Sequence, residues 1–114
     1  MARLGPEQPI PAWAVDFFAV TRTRDELSIV CGQAAVPLDV AAECGFRMLM
    51  VEGPLDFSMT GILASITTSL ADAGVSLFAI STYDTDYVLV RDDRFQSAVA
   101  ALRAGGWDVD YSGP

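Results

Sequence analysis

The sequence predicts an α+β fold, a β-α-β-β-α-β unit from Phe46 onward with a β-hairpin segment before it. Three observations lead there. An apolar run, Phe46 to Val51, stops at Gly53-Pro54 and is followed by Ile62, Leu63, Ile66 and Leu70 at helical spacing. Two strand-like runs, Val75 to Thr82 and Thr85 to Arg91, flank the turn Tyr83-Asp84. A second helical pattern, Phe95, Ala98, Val99 and Leu102, ends at Gly105-Gly106 and gives way to the alternation Trp107, Val109, Tyr111.

Taken from the start, residues 1 to 14 read as irregular, because Pro6, Pro9 and Pro11 fall in a short span. Ile10 to Ala14 is expected to form one helical turn that buries Trp13. Phe17 to Val20 and Glu26 to Cys31 read as strands, and the short polar link Thr21 to Asp25 makes them an antiparallel hairpin. Gly32 to Gly45, alanine-rich and interrupted by Pro37, reads as loop with at most a turn of helix. Phe46 to Val51 carries apolar residues on both faces, which suits a central strand. The helix over Thr60 to Ala73 has Gly74 as its stop. Asp92 and Asp93 open the second helix, where acids suit the positive end of the dipole. Trp107 to Tyr111 is expected to supply a last strand. With right-handed crossovers this order gives a four-stranded antiparallel sheet with two helices on one face, the ferredoxin-like arrangement. On Val75 to Thr82 the second face, Phe78 and Ile80, is also apolar, so it needs a cover: the hairpin or a second subunit.

The composition narrows the function classes. Fifteen acids oppose seven bases, all arginine, for a net charge of -8. A nucleic acid would be repelled over most of such a surface. With no histidine in the chain, Ser-His and Cys-His nucleophiles are excluded, and the commonest metal ligand is missing. Asp92, Asp93, Asp108 and Asp110 lack the spacing of a calcium loop and read as surface acids. No cofactor motif is present, so neither cofactor nor catalysis is expected. The two cysteines, Cys31 and Cys44, read as reduced core thiols of a cytoplasmic protein. No apolar run is long enough for a membrane helix, and no hydrophobic leader marks the chain for export.

The junction from Val51 to Ile62 concentrates the chemistry. Asp56 and Ser58 are residue types that cap helices, and the backbone N–H groups at such a start form a small anion cradle. Taken alone, the plainer reading is that Asp56 or Ser58 occupies those donors itself.

The segments Val51 to Leu63 and Leu70 to Thr82 resemble the ACT domain, a small regulatory module that binds amino acids. The stretch Ile80 to Val90, with Ile10-Pro11-Ala12-Trp13 and Thr21 to Val30, is similar to tandem ACT proteins related to the cytosolic arginine sensors of the TOR pathway. That resemblance divides the chain into an abbreviated ACT-like segment, 1–45 (hairpin 15–31 and loop), and an ACT domain, 46–114, packed as one compact unit. It implies an amino acid ligand held by Asp56, Ser58, Thr60, Gly61 and Ile62, with Ser81, Thr82, Thr85 and Asp86 at the rim. Asp56 would accept from the ligand ammonium, and the amides of Thr60, Gly61 and Ile62 would donate to its carboxylate. The structural alternatives are a cap at Asp56, a hairpin turn shaped by Ser81, Thr82 and Thr85, and a solvated Asp86. Phe57 and Met59 read as core or interface residues. Family members carry a strand before the Ile-Pro-Ala-Trp segment. Here only Arg3 and Leu4 stand as its tail, which leaves a hairpin edge open and predicts a homodimer. Any regulatory output would act in trans on a protein partner.

Overall fold

The computed structural model describes residues 1–52 and 61–111 of the chain. Gly53-Pro54, Asp56, Phe57, Ser58, Met59 and Thr60 lie outside the described residues. The chain divides into two units, Met1–Gly45 and Phe46–Pro114.

The first unit is a three-stranded antiparallel sheet of β1 (Ala2–Leu4), β2 (Phe18–Arg22) and β3 (Leu27–Cys31), in the order β1-β3-β2. The hairpin forms as the sequence predicts, with Phe18 opposite Cys31 and Arg22 opposite Leu27. Thr23 closes it: its hydroxyl accepts from the N–H groups of Asp25 and Glu26, each at 3.2 Å. The start of the chain corrects the expectation. Ala2–Leu4 is a strand, paired with β3 from Ala2–Ile29 to Leu4–Leu27. It is flanked in turn by Ala42, which bridges to Ala2, and by Ala41, whose carbonyl accepts from Arg3 N–H at 3.0 Å. Three residues are too few to show a period of two, which is why the strand is illegible locally. The edge expected to lie open is therefore covered on the β3 side. Among the described residues the outer edge of β2 pairs with no strand.

The centre of this unit is small: Ala2, Ala14, Leu27 and Ile29, with Trp13, Val20, Val36 and Val40 packed around them. Trp13 is half-buried beside a turn closed by Ala14 N–H to the Pro11 carbonyl at 3.1 Å. Gln33–Ala35 is the single turn of 3-10 helix in the long loop. Neither cysteine is in a disulfide: Cys31 is half-buried and packs against this core, whereas Cys44 is exposed and is not the core thiol expected. Burial pushes the Cys31 thiol up from its ordinary value, and the N-terminal ammonium partly offsets this.

The second unit runs β4 (Phe46–Met50), α1 (Ile62–Asp72), β5 (Leu77–Ser81), β6 (Asp86–Arg91), a short 3-10 turn at Asp92–Arg94, and α2 (Phe95–Ala104). The sheet order is β4-β6-β5, all antiparallel. Two expectations change. The central strand is β6, not β4, and its Val88, Leu89 and Val90 are all buried. Trp107 to Tyr111 joins no strand among the described residues. Its alternation survives: Trp107, Val109 and Tyr111 pack on the core while Asp108 and Asp110 are exposed. Arg103 Nη2 donates to the Val109 carbonyl at 2.6 Å and Trp107 Nε1 to Ser65 Oγ at 3.3 Å, so side chains tie the segment in.

Both helices end alike. Gly74 and Gly106 adopt left-handed φ of 72° and 93°. The next residues, Val75 and Trp107, donate back to Leu70 and Leu102 carbonyls, each at 2.9 Å. These are Schellman ends, which need a residue without Cβ at the turning point. They deliver Val75 and Trp107 into the core, a cluster of Ile66, Leu70, Val75, Val88, Val90, Phe95, Ala98, Val99 and Leu102 between the sheet and the helices. The other sheet face is apolar too: Phe46, Met48 and Met50 of β4 lie opposite Arg91, Leu89 and Tyr87, with Phe78 and Ile80 beyond. Phe78 meets Phe46 edge-on at 5.1 Å between centroids.

Candidate functional site

Strand register brings one end of the second unit together. β4 finishes at Met50 opposite Tyr87, and β5 finishes at Ser81 opposite Asp86. The pairing continues one residue past β4, because Val51 N–H donates to the Asp86 carbonyl at 2.9 Å. The side chains of Ser81 and Asp86 share the sheet face of Val88 and Val90, the face toward the helices. Ile62 and Leu63, in the first turn of α1, pack on the same core cluster as Val51.

Gly61 precedes α1 in the left-handed region, φ 88° and ψ -8°, and its carbonyl takes the first helical bond from Ser65 N–H at 2.8 Å. No side chain among the described residues caps this start. Among the described residues, a Cβ at Gly61 would meet nothing within 4 Å. The glycine therefore answers the backbone angle. Asp56, Ser58 and Thr60 lie outside the described residues; Gly61 and Ile62 stand at the helix start.

The β5–β6 turn is built by two threonines. Thr82 N–H donates to the Thr85 carbonyl at 2.8 Å, and Thr82 Oγ1 donates to the same oxygen at 3.0 Å. Thr85 N–H returns a bond to Thr82 Oγ1 at 3.2 Å. The Thr85 hydroxyl leaves the turn altogether and donates to the Val51 carbonyl. Thr85 is 8% exposed, a buried polar side chain satisfied by that bond. The hydroxyls of Thr82 and Thr85 are thus engaged within the protein, while Ser81 is exposed and Asp86 half-buried. The link from Thr85 to Val51 had no signal in the sequence, since nothing local pairs positions so far apart.

Charge is uneven here. Glu52, Asp84 and Asp86 gather at this end of the sheet, whereas Arg47 and Arg91 sit at the other, opposite Val90 and Phe46. The described residues hold no group of three or more His, Cys, Asp or Glu arranged for a metal ion. No described helix is long and apolar enough to cross a membrane.

This mixed α+β unit, with a glycine-opened helix beside an acidic strand end, defines the class. The family model of the ACT domain matches residues 41–104, and the chain belongs to the ACT domain family. A second family model, described as an N-terminal domain, matches residues 1–39. Among curated proteins, the human cytosolic arginine sensor for mTORC1 subunit 1 is 33% identical over 98 residues, 79% of this chain and 30% of that protein. The rat protein of the same name is 32% identical over 107 residues, 87% of this chain and 31% of its own length. The chain thus spans about a third of these relatives. Among solved structures, the protein Atu0741 from Agobacterium tumefaciens is 39% identical with a TM-score of 0.85, covering 92% of this chain and 80% of that one. A protein of unknown function from Vibrio cholerae, VC0802, shares the fold at 21% identity and a TM-score of 0.62, covering 78% of this chain and 69% of that one.

Proposed function

We infer that this protein is a non-catalytic regulatory domain that binds a free amino acid at the acidic end of its second unit. The observation that carries this reading is a glycine-opened helix start, with no side-chain cap among the described residues, in the same unit as Ser81 and Asp86 on the helix-facing side of the sheet. A zwitterion presents one group to each: its carboxylate suits the Gly61 and Ile62 amides at the positive end of α1, its ammonium the carboxylates. Asp56, Ser58 and Thr60 complete the proposed cradle. Thr82 and Thr85 serve it by holding the turn. The relatives' name, arginine sensor, together with Glu52, Asp84 and Asp86 at this end, makes L-arginine the first ligand to test. The proposed setting is the cytoplasm, with the output passed to a protein partner in trans.

The test is a thermal-shift panel of the standard L-amino acids followed by calorimetry. A ligand at a hundred times its dissociation constant raises stability by about 2.7 kcal/mol. Loss of one charge-assisted hydrogen bond in Asp56→Ala is expected to weaken binding about tenfold to a hundredfold. A panel with no response, or an Asp56→Ala protein that binds as wild type does, refutes the site. A second reading rests on Met48 and Met50, which are 42% and 60% exposed on the apolar sheet face. It is an interaction module that pairs with a second copy and takes no ligand. Light scattering separates the two: a dimer without any amino acid response favours the module.

A further inference from the structure

The sheet of the first unit is closed on one side and open on the other. β1 lies between β3 and the Ala41–Ala42 backbone. β2 pairs with β3, and among the described residues no strand pairs with its outer edge. The hairpin decides which backbone groups face outward. Thr23 N–H donates inward to the Glu26 carbonyl at 2.8 Å. Inward-bonding residues alternate along an antiparallel ladder, so Thr21 and Ala19 bond toward β3, while Arg22, Val20 and Phe18 turn their N–H and C=O groups outward. The register runs from Phe18 to Arg22 without a bulge, and no proline interrupts it, so neither device blunts this edge. Phe18 is 44% exposed, and Val15, shortly before it, is 50% exposed.

We propose that this edge is taken by a second copy of the chain, the two β2 strands pairing antiparallel about a two-fold axis at Val20. That register sets Val20 against its own copy and Phe18 against the partner's Arg22, so every outward group of the strand meets another. A slip of two residues in either direction leaves Phe18 or Arg22 without a strand residue opposite. Continued past the strand ends, the same register carries Asp16 to the partner's Arg24, and symmetry repeats the match. Asp16 and Arg24 are exposed, and among the described residues neither is in an ion pair. In a chain of net charge -8, self-contact is opposed by like charges over most of the surface, whereas this seam sets acid against base. Arg22 keeps its bond to the Pro6 carbonyl and offers its alkyl stem to the partner's Phe18. The interface lies in the first unit and does not rest on amino acid binding by the second.

The test is light scattering after gel filtration of the full chain, from micromolar to near-millimolar concentration, where wild type is expected to dimerise. Val20→Pro removes a seam N–H from each copy and no bond to β3, and is expected to weaken the dimer about tenfold or more. Arg24→Asp, in the exposed turn, sets an acid against the partner's Asp16 and is expected to weaken it as well. Circular dichroism and melting show that each variant keeps its fold. Met48→Glu, on the apolar face of the other sheet, is expected to dimerise as wild type does. The register is read by disulfide formation in a Cys31→Ser, Cys44→Ser background. Ala19 stands opposite the partner's Thr21, so a mixture of Ala19→Cys and Thr21→Cys proteins is expected to crosslink faster than either alone. A monomer at every concentration overturns the proposal. So does a dimer that folded Val20→Pro and Arg24→Asp proteins leave intact, or one that Met48→Glu dissolves. A mixture that crosslinks no faster than its components overturns the register.

Discussion

In the Met1–Gly45 unit, Arg3 and Arg22 reach backbone carbonyls, those of Asp25 and Pro6. In the Phe46–Pro114 unit, Arg94 and Arg103 also reach carbonyls, those of Ala73 and Val109, but here arginines lie over rings as well: Arg47 is 3.8 Å from the Phe95 centroid, Arg91 is 4.6 Å from Phe46 and Arg103 is 5.8 Å from Tyr111. The difference follows from what each unit can bury. The second has two amphipathic helices to lay on its sheet, and all but one of its nine buried core residues, Ala98, carry larger side chains than alanine. Cations at its margin find aromatic faces. The first has no α-helix, and two of its four buried core residues are alanine. Its long connections are held by hydrogen bonds to backbone oxygens. In so acidic a chain, Arg47 with Asp92 at 3.8 Å is an exposed pair worth little, and the arginines matter more as clamps and ring partners.

The sharpest way to break the contrast is to empty each core. Leu70→Ala removes a fully buried side chain from α1 and is expected to cost about 2–5 kcal/mol, read by urea unfolding of Trp107 emission in a Trp13→Phe background. Ile29→Ala is expected near the bottom of that range, about 2 kcal/mol, because the alanines around it leave room to settle; Trp13 emission in Trp107→Phe reports it. Equal losses would mean that the two cores are equally tight. At the helix ends, Gly74→Ala is expected to cost about 1 kcal/mol through its left-handed angle alone, since its Cβ would meet nothing. Among the arginines, Arg47→Met tests a ring contact and Arg22→Met a carbonyl clamp. Each is expected to lower stability by about 0.5–1 kcal/mol, with the salt dependence confined to Arg47→Met, which also loses Asp92.

The smallest effect is within the first unit. Burial raises the Cys31 thiol above its ordinary value of 9.0, so its neutral form belongs to the folded state. The stability it contributes is intact below that value and is lost as the pH rises through the folded one. Melting of Cys44→Ser against pH shows this as a decline on the alkaline side, which Cys31→Ala in the same background removes. Iodoacetamide near neutral pH is expected to label Cys44 before Cys31.

Much of the second unit was legible residue by residue. Ile66 and Leu70, and Phe95, Ala98, Val99 and Leu102, announce two buried helix faces by spacing, and all six are buried. Gly74 and Gly106 announce the stops because a left-handed turn tolerates few other residues. The tight Thr82–Thr85 turn was legible as a hairpin. The strand at Ala2–Leu4 was not, since its partner β3 lies far along the chain. Trp107 to Tyr111 misled in the opposite sense: an alternating pattern records which side chains face the core, and that holds without a strand partner. Of the candidate site, Gly61 and the Ser81–Asp86 strand end could be named from the sequence, and Thr85 as a rim or turn residue, but not the bond from its hydroxyl to Val51.

By itself the sequence determined where the two α-helices and the strands β2 to β6 lie, because periodicity and turn residues act over a few residues. It also determined the acidic charge and the want of histidine, which steer the chemistry away from nucleic acids and common catalysis. Only the tertiary structure decided that β6 is the central strand, that Ala2–Leu4 closes the first sheet, and that the Thr85 hydroxyl belongs to Val51. Each of those is a hydrogen bond or a pairing between distant positions, and a backbone carbonyl accepts from whichever donor the fold carries to it, leaving no mark in its own side chain.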